Sequence, residues 1–345
     1  MHRDSRSDGR AVNASELTLA VDGVRCAATL YRPDQPTGEV PCVVMGHGLS
    51  LTRRDGIPDY AARFAAAGLA AFAFDYRFWG DSDGEPRRWF SIRRQIEDWR
   101  AAVETARELD GVDPARVAVW GMSLGGGHAL RVAQTDRRIA AVVALVPMTD
   151  GLPLALAPAP PKVVLGLTGR ALRETIGRRP LMVQVAGAPG ELAALLAPEA
   201  LPGFTRLAAG NGWRNEISSS GLWGVARYRP VRRASQIAAP VLLQLGENDA
   251  MVPLAAIEKT ARQAPRGELR RYPIDHFECF WPEHLDLIAA DQIKFLQHHL
   301  VEPERATEGA PAPGSLADAS RRTDEAEREP LAVSTGSCRS PARNP

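Results

Sequence analysis

The stretch "RVAVWGMSLGGGHALRVA", residues 116–133, changes character at its middle. Apolar residues alternate up to Trp120, the pattern of a strand. From Leu124 onward the pattern is helical. Between the two lies Gly121-Met122-Ser123-Leu124-Gly125, which reads G-x-S-x-G. A strand before and a helix after are the setting in which such a segment makes a sharp turn and presents the serine hydroxyl. The flanking glycines let the backbone turn tightly. The following helix start supplies N–H donors and the positive end of a dipole for a developing anion. A phosphate cradle is the competing reading of so many glycines. No Lys follows in P-loop position and no G-x-G-x-x-G register fits.

Working outward, the chain alternates strand and helix patterns. "ELTLAV" and "VRCAATLY" flank Asp22-Gly23 and predict a hairpin. "PCVVMG", "LAAFAFDY", "RVAVWG", "IAAVVALVP", "PVLLQLG" and "ELRRYP" read as further strands, eight in all. Helices are predicted over "DYAARFAAAG", over the segment carrying Ile92, Ile96, Trp99 and Val103, after Ser123, over "PLAAIEKTARQ", and over the segment carrying Leu285 to Leu300. The fold class is therefore α/β: a mainly parallel eight-stranded sheet with helices on both faces. Residues 150–235 break the rhythm with prolines and short apolar pieces. They are too long for a plain loop and predict a small helical layer inserted after strand 6, near the strand ends. The core is then read as 15–149 and 236–300. Residues 1–14 are polar and expected to be flexible. Residues 301–345 are rich in Pro, Gly, Ser and charge, and are expected to be disordered.

Composition narrows the function. The 345 residues are 45% hydrophobic with a formal net charge of +1, so no basic footprint points to nucleic acid. No apolar run is long enough for a membrane span, and the N-terminus has no apolar leader-like region. Cys26, Cys42, Cys279 and Cys338 form no C-x-x-C pair, and no His/Cys cluster has zinc spacing, so neither metal nor cofactor is expected. A reducing, cytoplasmic setting fits. Composition carries no signal for oligomeric state.

A serine hydroxyl is a weak nucleophile and needs a base oriented by an acid. "LQLGENDAMVP" places Asp249 in a turn after a strand, and "RRYPIDHFECF" places His276 just after the next one. Both fall at carboxyl ends of strands, as Ser123 does, where open α/β sheets put their sites. Of the other histidines, His2 lies in the polar N-terminus and His284, His298 and His299 in the closing helix. His128 is read as packed on the helix after Ser123, and His47 as shaping a loop. Glu247 is the rival acid; Asp275, beside His276, points elsewhere. In "VVMGHGLSL", a strand leads into His47-Gly48-Leu49. The backbone N–H groups of Leu49 and Leu124 are the candidate oxyanion donors.

Together these residues resemble the alpha/beta-hydrolase superfamily, over about 16–300. The order Ser123, Asp249, His276 is the family's triad order. "FDYRFWGDSDGEPR" is similar to the family's loop after the fourth strand, often D-x-R-G-x-G-x-S, with Phe78 and Trp79 in place of small residues. Asp75 and Arg77 are read as structural. The family's lid occupies the place of 150–235. "HGLSLTRRDG" and that insertion resemble dienelactone-hydrolase-like and X-Pro-dipeptidyl-peptidase-like members, and fungal polyketide acyltransferases. The resemblance implies a cofactor-free serine hydrolase acting through an acyl-enzyme on a small-molecule ester or thioester with an apolar acyl group. Acyl transfer to another acceptor and peptidase-like amide hydrolysis are the alternatives. Trp79, Trp213 and Trp223 are candidates for lining the substrate pocket.

Overall fold

A computed structural model of the chain describes residues 13–156, 160–177 and 179–301. The N-terminal segment 1–12 and the tail 302–345, with Cys338, lie outside the described residues. Strand β1 (Asn13–Val21) already begins inside the segment expected to be flexible, and pairs antiparallel with β2 (Val24–Arg32). Asp22 and Gly23 both take positive φ, 49° and 75°, as a tight two-residue hairpin requires.

Alternation then sets in: β3 (Val40–Gly46), α1 (Ile57–Ala66), β4 (Ala70–Phe74), α2 (Ile92–Arg107), β5 (Val112–Met122), α3 (Leu124–Ala133) and β6 (Val142–Leu145). Strands β3, β4, β6 and the C-terminal half of β5 are buried almost throughout, as expected of parallel strands covered on both faces. An insertion follows β6. The core resumes with β10 (Val241–Gly246), α7 (Leu254–Gln263), β11 (Gly267–Tyr272) and α8 (Pro282–Leu300). Among the described residues the main sheet has eight strands, in the order β1-β2-β4-β3-β5-β6-β10-β11. All neighbours from β4 to β11 in that order are parallel. None of the described helices is long and apolar enough to cross a membrane.

The insertion differs from the helical layer expected. Helices α4 (Gly151–Ala155), α5 (Pro161–Gly177) and α6 (Ala200–Leu207) share it with a three-stranded sheet. There β7 (Met182–Ala186) pairs parallel with β8 (Ala193–Leu195) and antiparallel with β9 (Ile217–Ser218). These strands are two to five residues long. A period-2 pattern needs more residues than that to register in sequence.

Two buried arginines brace the loop after β4. Arg53 Nη1 lies 2.6 Å from Asp75 Oδ2, and the Arg53 backbone N–H donates to Asp75 Oδ1 at 2.7 Å. Arg77 is held by Asp98, Asp22 and Glu97. Each guanidinium is thus paired on several sides, which offsets the cost of taking it out of water.

His128 is the packed histidine the sequence suggested. It lies on α3, fully buried. Its Nε2–H donates to Gln95 Oε1 at 3.0 Å, and its Nδ1 accepts from the Tyr228 hydroxyl at 2.7 Å. The ring is therefore neutral, and burial lowers its pKa from 6.5 to about 3. Between those values the unfolded chain binds a proton at this ring and the folded chain does not. Stability should therefore fall on acidification through that window, by up to about 1.4 kcal/mol per pH unit from this ring alone. Urea titrations at pH 7 and pH 5 test this. H128Q should be less stable than wild type at pH 7 and should lose less on moving to pH 5; an equal loss would rule out His128 as the source.

Candidate active site

Ser123 stands where β5 gives way to α3, half-buried, with φ 53° and ψ −120°. Few side-chain-bearing residues adopt such a backbone, and it persists only where the surroundings hold it. Here the Ser123 N–H donates to the Leu145 carbonyl at 2.9 Å, and the Ser123 carbonyl accepts from Met148 and Gly127 at 2.9 and 3.1 Å. The turn is thereby pinned to the end of β6 and to the first turn of α3.

The glycines of the motif make room for a neighbouring loop. A Cβ on Gly125 would lie 2.5 Å from the carbonyl oxygens of both Gly46 and His47. One on Gly48 would lie 2.4 Å from Met122 Sδ and 3.3 Å from Ser123 Cβ. The start of α3 and the loop after β3 thus touch backbone to backbone, and His47-Gly48-Leu49 passes beside Ser123. That loop is held from below: Trp99 Nε1 donates to the Tyr76 hydroxyl at 2.9 Å, which donates to the His47 carbonyl at 3.0 Å. His47 is buried against the Tyr76 ring, and its Nδ1–H donates to the Gly48 carbonyl at 2.9 Å. Burial lowers its pKa, so it shapes the loop as a neutral ring.

Asp249 follows β10 and His276 follows β11. His276 Nδ1–H donates to Asp249 Oδ2 at 2.6 Å, with both side chains buried. Asp249 Oδ1 accepts from the Met251 and Val252 N–H groups at 2.7 and 3.2 Å, which fixes the carboxylate. The bond at Nδ1 leaves Nε2 as the basic nitrogen of the ring. The rival acids are placed elsewhere. Glu247 is exposed, and Asp275 Oδ1 accepts from the Phe277 and Glu278 N–H groups of the next turn. Since β5, β6, β10 and β11 are consecutive parallel neighbours, Ser123, Asp249 and His276 all emerge at one edge of the sheet.

The insertion touches each of these loops. Glu199 Oε1 accepts from the Ala250 N–H at 2.7 Å, one residue from Asp249. Phe204 packs edge-on against Phe277, next to His276, with centroids 5.1 Å apart. Trp213 stacks on Phe204 at an interplanar angle of 2°, and its indole N–H donates to Ser50 Oγ at 3.0 Å, beside Leu49. Sequence reading picked out Trp213 but not Glu199, Phe204 or Ser50, which carry no motif. Trp79 is buried, and its indole nitrogen has no hydrogen-bond partner among the described residues. Trp223 lies on a 3-10 turn (Ser220–Arg227) and is 43% exposed.

Residues 42–184 match the family model described as serine aminopeptidase, S33. The quorum-quenching protein AidA of Acinetobacter baumannii is 41% identical over 281 residues, covering 79% of this chain and 91% of that protein. The chain belongs to the alpha/beta-hydrolase superfamily. This hydrolase also resembles polyketide transferase ATR5 of Stachybotrys chlorohalonatus, at 33% identity over 173 residues, 50% of this chain and 56% of that one. Its fold matches the crystal structure of the alpha/beta hydrolase GrgF from Penicillium, with TM-score 0.72 and 24% identity, covering 85% of this chain and all of that one.

The packing around this hydrolase's Ser123 turn makes a direct prediction. G125A raises helix propensity but drives a methyl into two carbonyl oxygens. It should destabilise the fold by about 1–3 kcal/mol. Gly169, on α5, has open space around its Cβ position. G169A should instead stabilise, by up to about 1 kcal/mol. Chemical denaturation of the two variants checks both signs.

Proposed function

We propose that the chain is a serine esterase or thioesterase that releases an apolar acyl group from a small-molecule substrate. The observation that carries this is the buried Asp249–His276 hydrogen bond, set at the same sheet edge as a serine held in a strained turn. Ser123 Oγ attacks the acyl carbonyl while His276 Nε2 takes its proton. Asp249 holds the imidazole by Nδ1–H and stabilises it when charged. The negative charge that builds on the carbonyl oxygen is received by the N–H groups of Leu49 and Leu124. Each donor is typically worth about 3 kcal/mol in the transition state. His276 then returns the proton to the leaving group, and water activated by the same nitrogen frees the acyl-enzyme.

Trp79 and Trp213 line the acyl side in this reading, and residues 150–235 act as a lid over the site. The segment 199–213 supports that role by reaching the three loops on which Asp249, His276 and Leu49 stand. A serine rather than a carboxylate at the elbow disfavours haloalkane or epoxide chemistry. The three buried free thiols, Cys26, Cys42 and Cys279, are compatible with a reducing compartment such as the cytoplasm. The relative named as a polyketide transferase favours one further reading, in which the acyl-enzyme is passed to an alcohol or amine instead of water.

A panel of p-nitrophenyl esters of rising chain length, with matched thioesters and a dipeptide amide, tests the proposal. Esters and thioesters should turn over, the amide should not, and S123A should lose roughly 10⁴-fold or more in kcat. Turnover of the amide alone would overturn it. Product analysis with added alcohols separates hydrolysis from transfer. W213F keeps the stack on Phe204 but loses the bond to Ser50. It should lower kcat about tenfold with KM little changed, as expected when an oxyanion donor is displaced. A change in KM alone would mean that Trp213 contacts the acyl group without positioning the loop that carries Leu49.

A further inference from the structure

Helix α5 is apolar on two sides. Its inner side carries Val163, Ala171 and Glu174, all buried. The Glu174 carboxylate is fully engaged by the Ser219 hydroxyl and by the N–H and hydroxyl of Ser220, at 2.7–2.9 Å. Its outer side carries Leu165, Leu172 and Ile176, exposed by 74%, 51% and 73%. At about 100° per residue these three fall within roughly 40° of one another, making a single stripe along the helix. Lys162 and Arg173 lie along one edge of that stripe and Arg170 beyond them, all exposed. Thr168 and Thr175, also exposed, lie along the other edge.

Large apolar side chains lined up in water mark a surface that something covers. An apolar stripe edged by cations is the signature of a helix that lies in the plane of a lipid interface. We propose that α5 seats this face on an anionic bilayer surface, with Leu165, Leu172 and Ile176 in the headgroup–acyl boundary and Lys162 and Arg173, along its edge, against acidic headgroups. Charge decides against two copies of the chain meeting α5 to α5. The one carboxylate on the helix is buried and occupied, so an opposing α5 offers the arginines no exposed acid.

Co-sedimentation of the full chain with extruded vesicles tests this. One set is phosphatidylcholine alone; the other is an equal mixture with phosphatidylglycerol. Binding to the mixed vesicles should be about tenfold stronger and should weaken as salt is raised. The triple variant L165S/L172S/I176S should lose binding while keeping the wild-type circular dichroism spectrum and melting temperature. If that variant unfolds, K162Q/R173Q, which touches only exposed charges, should still cut binding to the mixed vesicles by about tenfold. S123A should bind as wild type does, so the outcome is independent of the catalytic reading. Equal binding to both vesicle types, no binding to either, or a wild-type dimer in light scattering that the triple variant converts to monomer would each overturn the proposal.

Discussion

The backbone of Ser123, at φ 53°, is a conformation that costs a residue bearing a side chain about 1–3 kcal/mol. Much of the site's architecture exists around that turn. The end of β6 hydrogen-bonds to its amide, and the first turn of α3 closes on its carbonyl. Gly125 and Gly48 carry no side chain because the loop after β3 must run against the start of α3. The Trp99–Tyr76–His47 chain holds that loop at its height. Strain at one residue is thus tied to packing across three strands, and a rigid position for the proposed nucleophile follows from the tie.

The proposed general base is fixed in a comparable way. Asp249 spends one oxygen on two backbone N–H groups and the other on His276, so neither carboxylate nor ring is free to turn. The insertion then adds a second set of ties, from Glu199, Phe204 and Trp213 to the loops bearing Asp249, His276 and Leu49. In the proposed reading, a segment in that position can adjust the spacing of Ser123, His276 and Asp249 as well as the shape of the acyl pocket. Substrate range and reaction rate would then vary together among relatives that differ in this segment.

The sheet was legible in the sequence because its strands are long or fully apolar, and because Asp22-Gly23 and the G-x-S-x-G join mark their own turns. The pairing of Asp249 with His276 was legible because both follow strands that end at one edge. The sheet within 150–235 was not, since strands such as Ile217–Ser218 are too short to show a period. Glu199, Phe204 and Ser50 were not legible either: their contacts span 51, 73 and 163 residues of chain. Nothing local to such residues announces a distant partner. Trp79 and Trp223 shared one reading in the sequence, yet one is buried and the other exposed. Aromatic identity says little about which side of a loop a ring will face.

The central claim is that Ser123 is a nucleophile activated by the His276–Asp249 pair. Reaction with a fluorophosphonate probe, followed by peptide mapping, tests it most directly. The account predicts a single phosphonylated residue, Ser123, in wild type, and a labelling rate reduced by at least about a hundredfold in H276A. Labelling at another residue, or labelling of Ser123 at an unchanged rate in H276A, would contradict it.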